Sequence, residues 1–236
     1  MDIVFLGMNN AGREIYDWLC DRAGVTVHAL VTTEHQLELI ESIQPDIVVA
    51  AGYQHIVPEE TLQIPDQGCI NVHPGYLPHG RGFNPNVWSI IDDLPAGATI
   101  HYMDDGVDTG EIIARQRVEC LSSDTGKSLY QRIERACVEL FKQMWPSIES
   151  GTVEAAPQEE SDAMYHYKSD FVDLCRIDPE QTYETKELID ILRALTFPPF
   201  DNAFLEIDGE KHYIEIDITP ASERDRAERV GTIDSY

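Results

Sequence analysis

Short apolar runs alternate with amphipathic stretches through the first two thirds of this chain. Asp2-Ile-Val-Phe-Leu-Gly7 is apolar for the length of a strand, and Met8-Asn-Asn-Ala-Gly12 turns it into a stretch where Ile15, Trp18 and Leu19 recur at helical spacing. Residues 25–31 predict a second strand, 35–43 a short helix and 46–50 a third strand. Near-continuous apolar strands separated by helices predict an α/β fold with a doubly wound, mostly parallel sheet. Gly68-Cys-Ile-Asn-Val-His73 reads as a further buried strand, stopped by Pro74, which has no N–H to give a ladder. A helix is predicted at Asn84-Pro-Asn-Val-Trp-Ser-Ile-Ile91, with Asn84 as N-cap and Pro85 in the first position. Strands follow at 98–102 and 111–120. Leu129, Ile133, Val138, Leu140, Phe141 and Trp145 then stripe one face of the longest helix, 125–147.

The pattern fails between residues 151 and 162, which are polar, aperiodic and contain Pro157. The predicted organisation is therefore a core over 1–150, a linker over 151–165 and a small C-terminal α+β appendage over 166–236. Within the appendage, 178–179 form a turn, 185–195 an amphipathic helix and Phe197-Pro-Pro-Phe200 a rigid loop. Residues 203–207 and 211–217 flank Asp208-Gly209, a strong hairpin signal. The tail after Pro220 is charged and is expected to be peripheral.

Charge narrows the function. Against 17 Lys and Arg stand 43 Asp and Glu, a formal net charge of -26. Phosphate contacts need clustered cations, so a nucleic-acid surface is excluded. The acidic residues are spread out, which fits a solvated coat from a salt-rich cytoplasm, where such self-repulsion is screened. No leader pattern and no apolar run long enough for a bilayer is present, so a cytoplasmic protein with no membrane partner is expected. Five scattered cysteines with no Cys-x-x-Cys read as reduced thiols.

The polar groups that an acyl-transfer site needs are concentrated between residues 69 and 110. Alternation on the Gly68–His73 run puts Asn71 and His73 on one face at the carboxyl end of a strand, where α/β sheets bind ligands. Beyond the Gly- and Pro-rich loop 75–82, the run Asp104-Asp-Gly-Val-Asp-Thr-Gly110 presents Asp108 from its middle. That run is not a calcium loop, since Gly106 stands at the second ligand position. Nor do His73, His79 and His101 make a zinc motif, because none are paired at helical spacing, and no metal is expected. Gly-x-x-x-Ala-Gly near the N-terminus does not match the dinucleotide fingerprint.

Asn71-x-His73, Leu77-Pro-x-x-Arg81-Gly and Asp105-Gly-x-Asp108-Thr-Gly110, in this order, resemble the catalytic core of the 10-formyltetrahydrofolate-dependent formyltransferases. His-Pro-Gly-Tyr-Leu-Pro and Asn-Pro-Asn-Val-Trp resemble the branch that formylates amino sugars on sugar nucleotides; the tRNA-directed branch usually has serine and leucine where Gly75 and Tyr76 stand. The resemblance implies a Rossmann-like core, 10-formyltetrahydrofolate as cosubstrate and Asn71, His73 and Asp108 as the catalytic set. Asn71 would donate to the oxyanion and His73 would shuttle a proton, with Asp108 raising the imidazole's pKa. It further implies folate contacts at Gln54, Val57 and Asp105, and an acceptor such as a dTDP-linked 4-amino-4,6-dideoxyhexose. Arg81, Asn84 and Asn86 would lie near its diphosphate or sugar, and Phe197, Phe200 and Tyr213 would offer faces for its base. A homodimer is a further expectation.

Three rival readings remain. A formyltetrahydrofolate hydrolase has a similar triad, but a regulatory domain precedes its core, whereas here the core pattern starts at residue 2. A methionyl-tRNA formyltransferase would need a basic appendage. An inactive sugar-nucleotide binding module is the reading without catalysis.

Overall fold

A computed structural model describes residues 1–220 and Ser222; the expected peripheral tail lies almost wholly outside the described residues. The elements in order are β1 (Asp2–Leu6), α1 (Asn10–Cys20), β2 (Thr26–Val31), α2 (Glu38–Ile43), β3 (Ile47–Ala50), α3 (Glu59–Leu62) and β4 (Cys69–His73). Then come β5 (Arg81–Gly82), α4 (Pro85–Ile91), β6 (Ala96–Tyr102), β7 (Ile112–Val118) and α5 (Gly126–Glu149). The remainder is β8 (Tyr165–His166), α6 (Lys168–Leu174), α7 (Thr185–Leu195), β9 (Phe204–Ile207) and β10 (Glu210–Tyr213).

Six strands form one sheet in the order β2-β1-β3-β4-β6-β7. The first four run parallel, and β6 and β7 join antiparallel. Residues 3–6 and 47–50 are fully buried, as the unbroken apolar runs require when both faces are covered. On one face α1, α4 and α5 bury Ile15, Leu19, Ile133, Phe141 and Trp145 against Phe5, Val49 and Val72. On the other, Leu37, Ile40 and Val57 pack on Val4, Val48 and Ala50. Each buried large side chain of this kind contributes roughly 2 kcal/mol through loss of apolar surface from water. Helix ends are secured locally: Asn9 Oδ1 accepts the Gly12 N–H at 2.7 Å, and Thr125 and Ser128 cap α5 reciprocally.

Two expectations change here. Residues 151–165 are no loose connector: Ala156 bridges to Ile112, and β8 pairs in parallel with β5, Arg81 opposite Tyr165 and Gly82 opposite His166. A two-residue strand has too few positions to show a period, which is why the sequence gives no sign of it. Asn84 occupies the N-cap position but its side chain makes no capping bond; it sits at φ +52°, a left-handed conformation that Asn tolerates better than most residues. The hairpin forms as expected, with Asp208 and Gly209 both at positive φ.

Candidate active site

β4 and β6 bring the chemistry together. Their antiparallel register sets Asn71 opposite His101 and His73 opposite Thr99, and the loop after β6 returns Asp108 to the same place. Asn71, His73, His101 and Asp108 all line one cleft of about 690 Å³ at the carboxyl end of the parallel strands.

Hydrogen bonds fix the tautomers. His73 Nε2 lies 2.6 Å from the Gly80 carbonyl and donates to it, which leaves Nδ1 to take up a proton. His101 Nδ1 donates to the Tyr102 carbonyl at 2.7 Å, so its Nε2 accepts from Asn71 Nδ2 at 3.3 Å. Asn71 keeps a second amide N–H for a ligand. Asp108 Oδ1 faces both rings, 3.5 Å from His73 Nδ1 and 3.6 Å from His101 Nε2, while Oδ2 accepts the Gly82 N–H at 2.9 Å. Burial pushes the Asp108 carboxyl up. The charge that the facing imidazoles carry when protonated, His73 above all, together with the Gly82 N–H, outweighs that and holds it well below the carboxylate range. For His73 the charge of Asp108 raises the imidazole's pKa as expected, but burial lowers it by more, so the net shift is downward. The resting pair is therefore neutral His73 beside ionised Asp108.

The loop 75–82 is shaped around that imidazole. A Cβ on Gly75 would collide with His73 Nε2 and the Gly80 carbonyl, so this close approach requires glycine. Thr99 Oγ1 donates to the Gly75 carbonyl at 2.7 Å and accepts from the Leu77 N–H at 3.1 Å, pinning the loop from β6.

The expected ligand contacts divide. Gln54, Val57, Asn84 and Asn86 line the cleft. Asp105 is not among the lining side chains, although its neighbours Asp104 and Gly106 are. Arg81 requires correction: it is 5 % exposed, gives Nε and NH2 to Gln158 and holds Glu160 with NH1 and NH2. Four of its five N–H groups are thus committed inside the protein, and it is not among the residues that line the cleft. Phe197, Phe200 and Tyr213 do not line the cleft; Phe197 packs on Tyr130 and Phe200, and Tyr213 packs on Phe204.

Four contributors were missed. Alternation along 98–102 was a usable signal for His101, since Thr99 shares its face. Tyr130 lies on the striped helix, at a position that reads equally well as core. Gln158, whose Nε2 donates to the carbonyls of Asp108 and Gly110 at 2.8 Å, and Lys168, at the cleft's edge, had no local signal. Tyr53 also lines the cleft, and its buried hydroxyl has no hydrogen-bond partner among the described residues. No group of three or more metal-binding side chains occurs among the described residues, and no helix there is long and apolar enough to cross a membrane.

Comparison with known proteins follows these lines. The formyl transferase family model matches residues 13–144, and the model for the N-formyltransferase dimerization C-terminal domain matches 170–220. The dTDP-4-amino-4,6-dideoxyglucose formyltransferase of Mycobacterium tuberculosis is 36% identical over 153 residues, 64% of this chain and 65% of that protein. The methionyl-tRNA formyltransferase of Alkaliphilus oremlandii is 35% identical over 127 residues, 53% of this chain and 41% of that one. The chain thus spans about half the length of the curated relatives it matches. Among solved structures, a 4-N formyltransferase from Francisella tularensis superposes with a TM-score of 0.83 at 26% identity, covering 93% of this chain and 98% of that chain. The formyltransferase PseJ from Anoxybacillus kamchatkensis, in complex with UDP-4,6-dideoxy-4-formamido-L-AltNAc and tetrahydrofolate, gives a TM-score of 0.60 at 32% identity, covering 72% of this chain and 87% of that chain.

Proposed function

This chain belongs to the formyl transferase family, and we propose that it moves the formyl group of 10-formyltetrahydrofolate to the amine of a nucleotide-linked amino sugar for surface glycan assembly. The observation that carries this reading is the convergence of Asn71, His73 and Asp108 in one cleft, with Asn71 holding a free N–H and His73 a free nitrogen. The acceptor nitrogen attacks the formyl carbon, and the developing oxyanion takes the second N–H of Asn71. His73 Nδ1 receives the proton lost by that nitrogen, and the resulting imidazolium lies beside the Asp108 carboxylate. The same proton then goes to N10 as the bond between N10 and the formyl carbon breaks, releasing tetrahydrofolate and the formamide.

On the folate side, Tyr53, Gln54 and Val57 would hold the cosubstrate, with backbone help around Asp105. The unpartnered Tyr53 hydroxyl in this wall fits a ligand rich in polar ring groups. No step needs a metal. Superposition along nearly the whole chain with sugar N-formyltransferases supports the sugar acceptor, dTDP-linked 4-amino-4,6-dideoxyglucose being the first to test. The charge of -26 weighs against methionyl-tRNA.

We further take residues 1–150 as the catalytic core and 166–236 as an appendage that forms a homodimer, for which the matched dimerization model and the exposed Val172, Ile207 and Tyr213 speak. A salt-rich cytoplasm is the proposed setting. The test is incubation with 10-formyltetrahydrofolate and a panel of dTDP- and UDP-linked amino sugars, followed by mass spectrometry. Addition of one formyl group to a panel member is expected. Release of formate alone, or transfer to methionyl-tRNA instead, would replace this reading.

A further inference from the structure

A nucleoside diphosphate sugar would bring two charged phosphates into a cleft that already contains the carboxylates of Asp104 and Asp108. On a chain of net charge -26 the surrounding field opposes this, so a local cation is needed. Arg81 does not line the cleft, and Gln158 and Glu160 take four of its five N–H groups. Of the residues that line the cleft, Lys168 is the one Lys or Arg, and it is exposed. Among the described residues its ammonium makes no ion pair and no hydrogen bond.

Its place in the fold ties it to the reacting groups. Gly82, whose N–H holds Asp108, pairs with His166, and the Tyr165 ring approaches within 3.2 Å of where a Gly82 Cβ would stand. Lys168 follows Tyr165 by three residues, at most about 10 Å of extended backbone. Behind this segment, His166 stacks on Trp88 with ring centroids 3.9 Å apart, and Phe83 packs on Phe171 of α6. The ammonium is thus carried by a braced segment.

The two walls of the cleft differ in origin. Tyr53, Val57 and Met103 pack with the core on the α2 face, the side taken above for the folate. Tyr130 of α5 lies on the opposite face, as does Asn86, which donates to the Gly126 carbonyl at 3.0 Å, and β8 and α6 close that side. Resting on the sugar-nucleotide reading, we propose that Lys168 binds the acceptor's diphosphate and that Tyr165 walls the amino sugar between that anchor and His73. This moves the nucleotide site from the 197–213 region to the β8–α6 junction.

The intact chain, as Lys168→Met, Lys168→Arg and wild type, is titrated calorimetrically with dTDP, UDP and tetrahydrofolate, with melting temperature as the folding control. Lys168→Met is expected to weaken the preferred nucleotide at least about tenfold, Lys168→Arg to retain it, and tetrahydrofolate to bind all three alike. Nucleotide affinity unchanged in Lys168→Met overturns the proposal. So does a loss confined to tetrahydrofolate, which would assign the ammonium to the folate's own carboxylates. If wild type binds tetrahydrofolate but neither nucleotide, the sugar-nucleotide reading itself fails, and the role of Lys168 falls with it.

Discussion

Nδ1 of His73 stands 3.5 Å from Oδ1 of Asp108, beyond a good hydrogen bond but well within reach of its charge. Asp108 therefore matters most when His73 is protonated, which in the proposed mechanism is midway through the transfer. In the resting site, burial lowers the imidazole's pKa from 6.5 and the carboxylate partly restores it.

Titration of His73 followed by NMR should accordingly give a midpoint below 6.5, with the ring neutral above it. Asp108→Asn removes the charge that raises the pKa, so the midpoint should drop further. A midpoint that rises in Asp108→Asn contradicts the arrangement. His73→Asn, Asn71→Ala and Asp108→Asn should each lower turnover roughly 10² to 10³-fold while the melting transition is kept.

Gly75→Ser tests the packing of the loop against the ring. Its Cβ would displace either the imidazole or the Gly80 carbonyl, and turnover should fall on the order of tenfold or more, because small misplacements of a proton carrier are costly. The His73 resonances should shift in the same variant. Wild-type turnover with unshifted resonances would show that the loop yields and the ring does not.

Arg81 and Gln158 form one network with the Asp108 loop, so their variants should behave differently from those of a ligand contact. Arg81→Ala is expected to cost about 2 kcal/mol of stability through lost charged hydrogen bonds, with the Michaelis constant for the sugar nucleotide little changed. Gln158→Ala frees the carbonyls of Asp108 and Gly110 and should reduce kcat more than it alters either Michaelis constant. Stability retained with a raised constant for the nucleotide would return Arg81 to the ligand.

With 43 acidic residues against 17 basic, the folded protein should melt at a higher temperature in molar potassium chloride than in dilute buffer, since screening relieves repulsion in the compact form. A melting temperature that is flat or falls across that range removes the argument for a salt-rich setting.

What the sequence disclosed follows from how each feature is encoded. β1, β3 and β4 are long apolar runs and α5 carries a repeated stripe, so periodicity finds them. Asn71 and His73 are neighbours on one face of a strand, and Asp108 sits in a glycine-marked loop, so local spacing suffices to pick out three residues that the fold brings into one cleft. Gln158 meets Asp108 across fifty positions and Tyr165 meets Arg81 across more than eighty; no local pattern records such pairings. Arg81 misled for the same reason. A lone cation near a site looks available until the distant partners that occupy it are known.

The short β5–β8 ladder also bears on how such chains can recombine. A crossover placed in the polar stretch near residue 151 would give the loop holding Gly80 and Gly82 a foreign strand to pair with, and would exchange Gln158 and Lys168 together with the appendage. Chimaeras that keep residues 81 and 82 with their native 158–168 should inherit both the poised carboxylate and the acceptor preference. Those joined between residues 82 and 158 would separate the two, so on the proposed reading the heritable unit of specificity is a strap and its loop, not a domain.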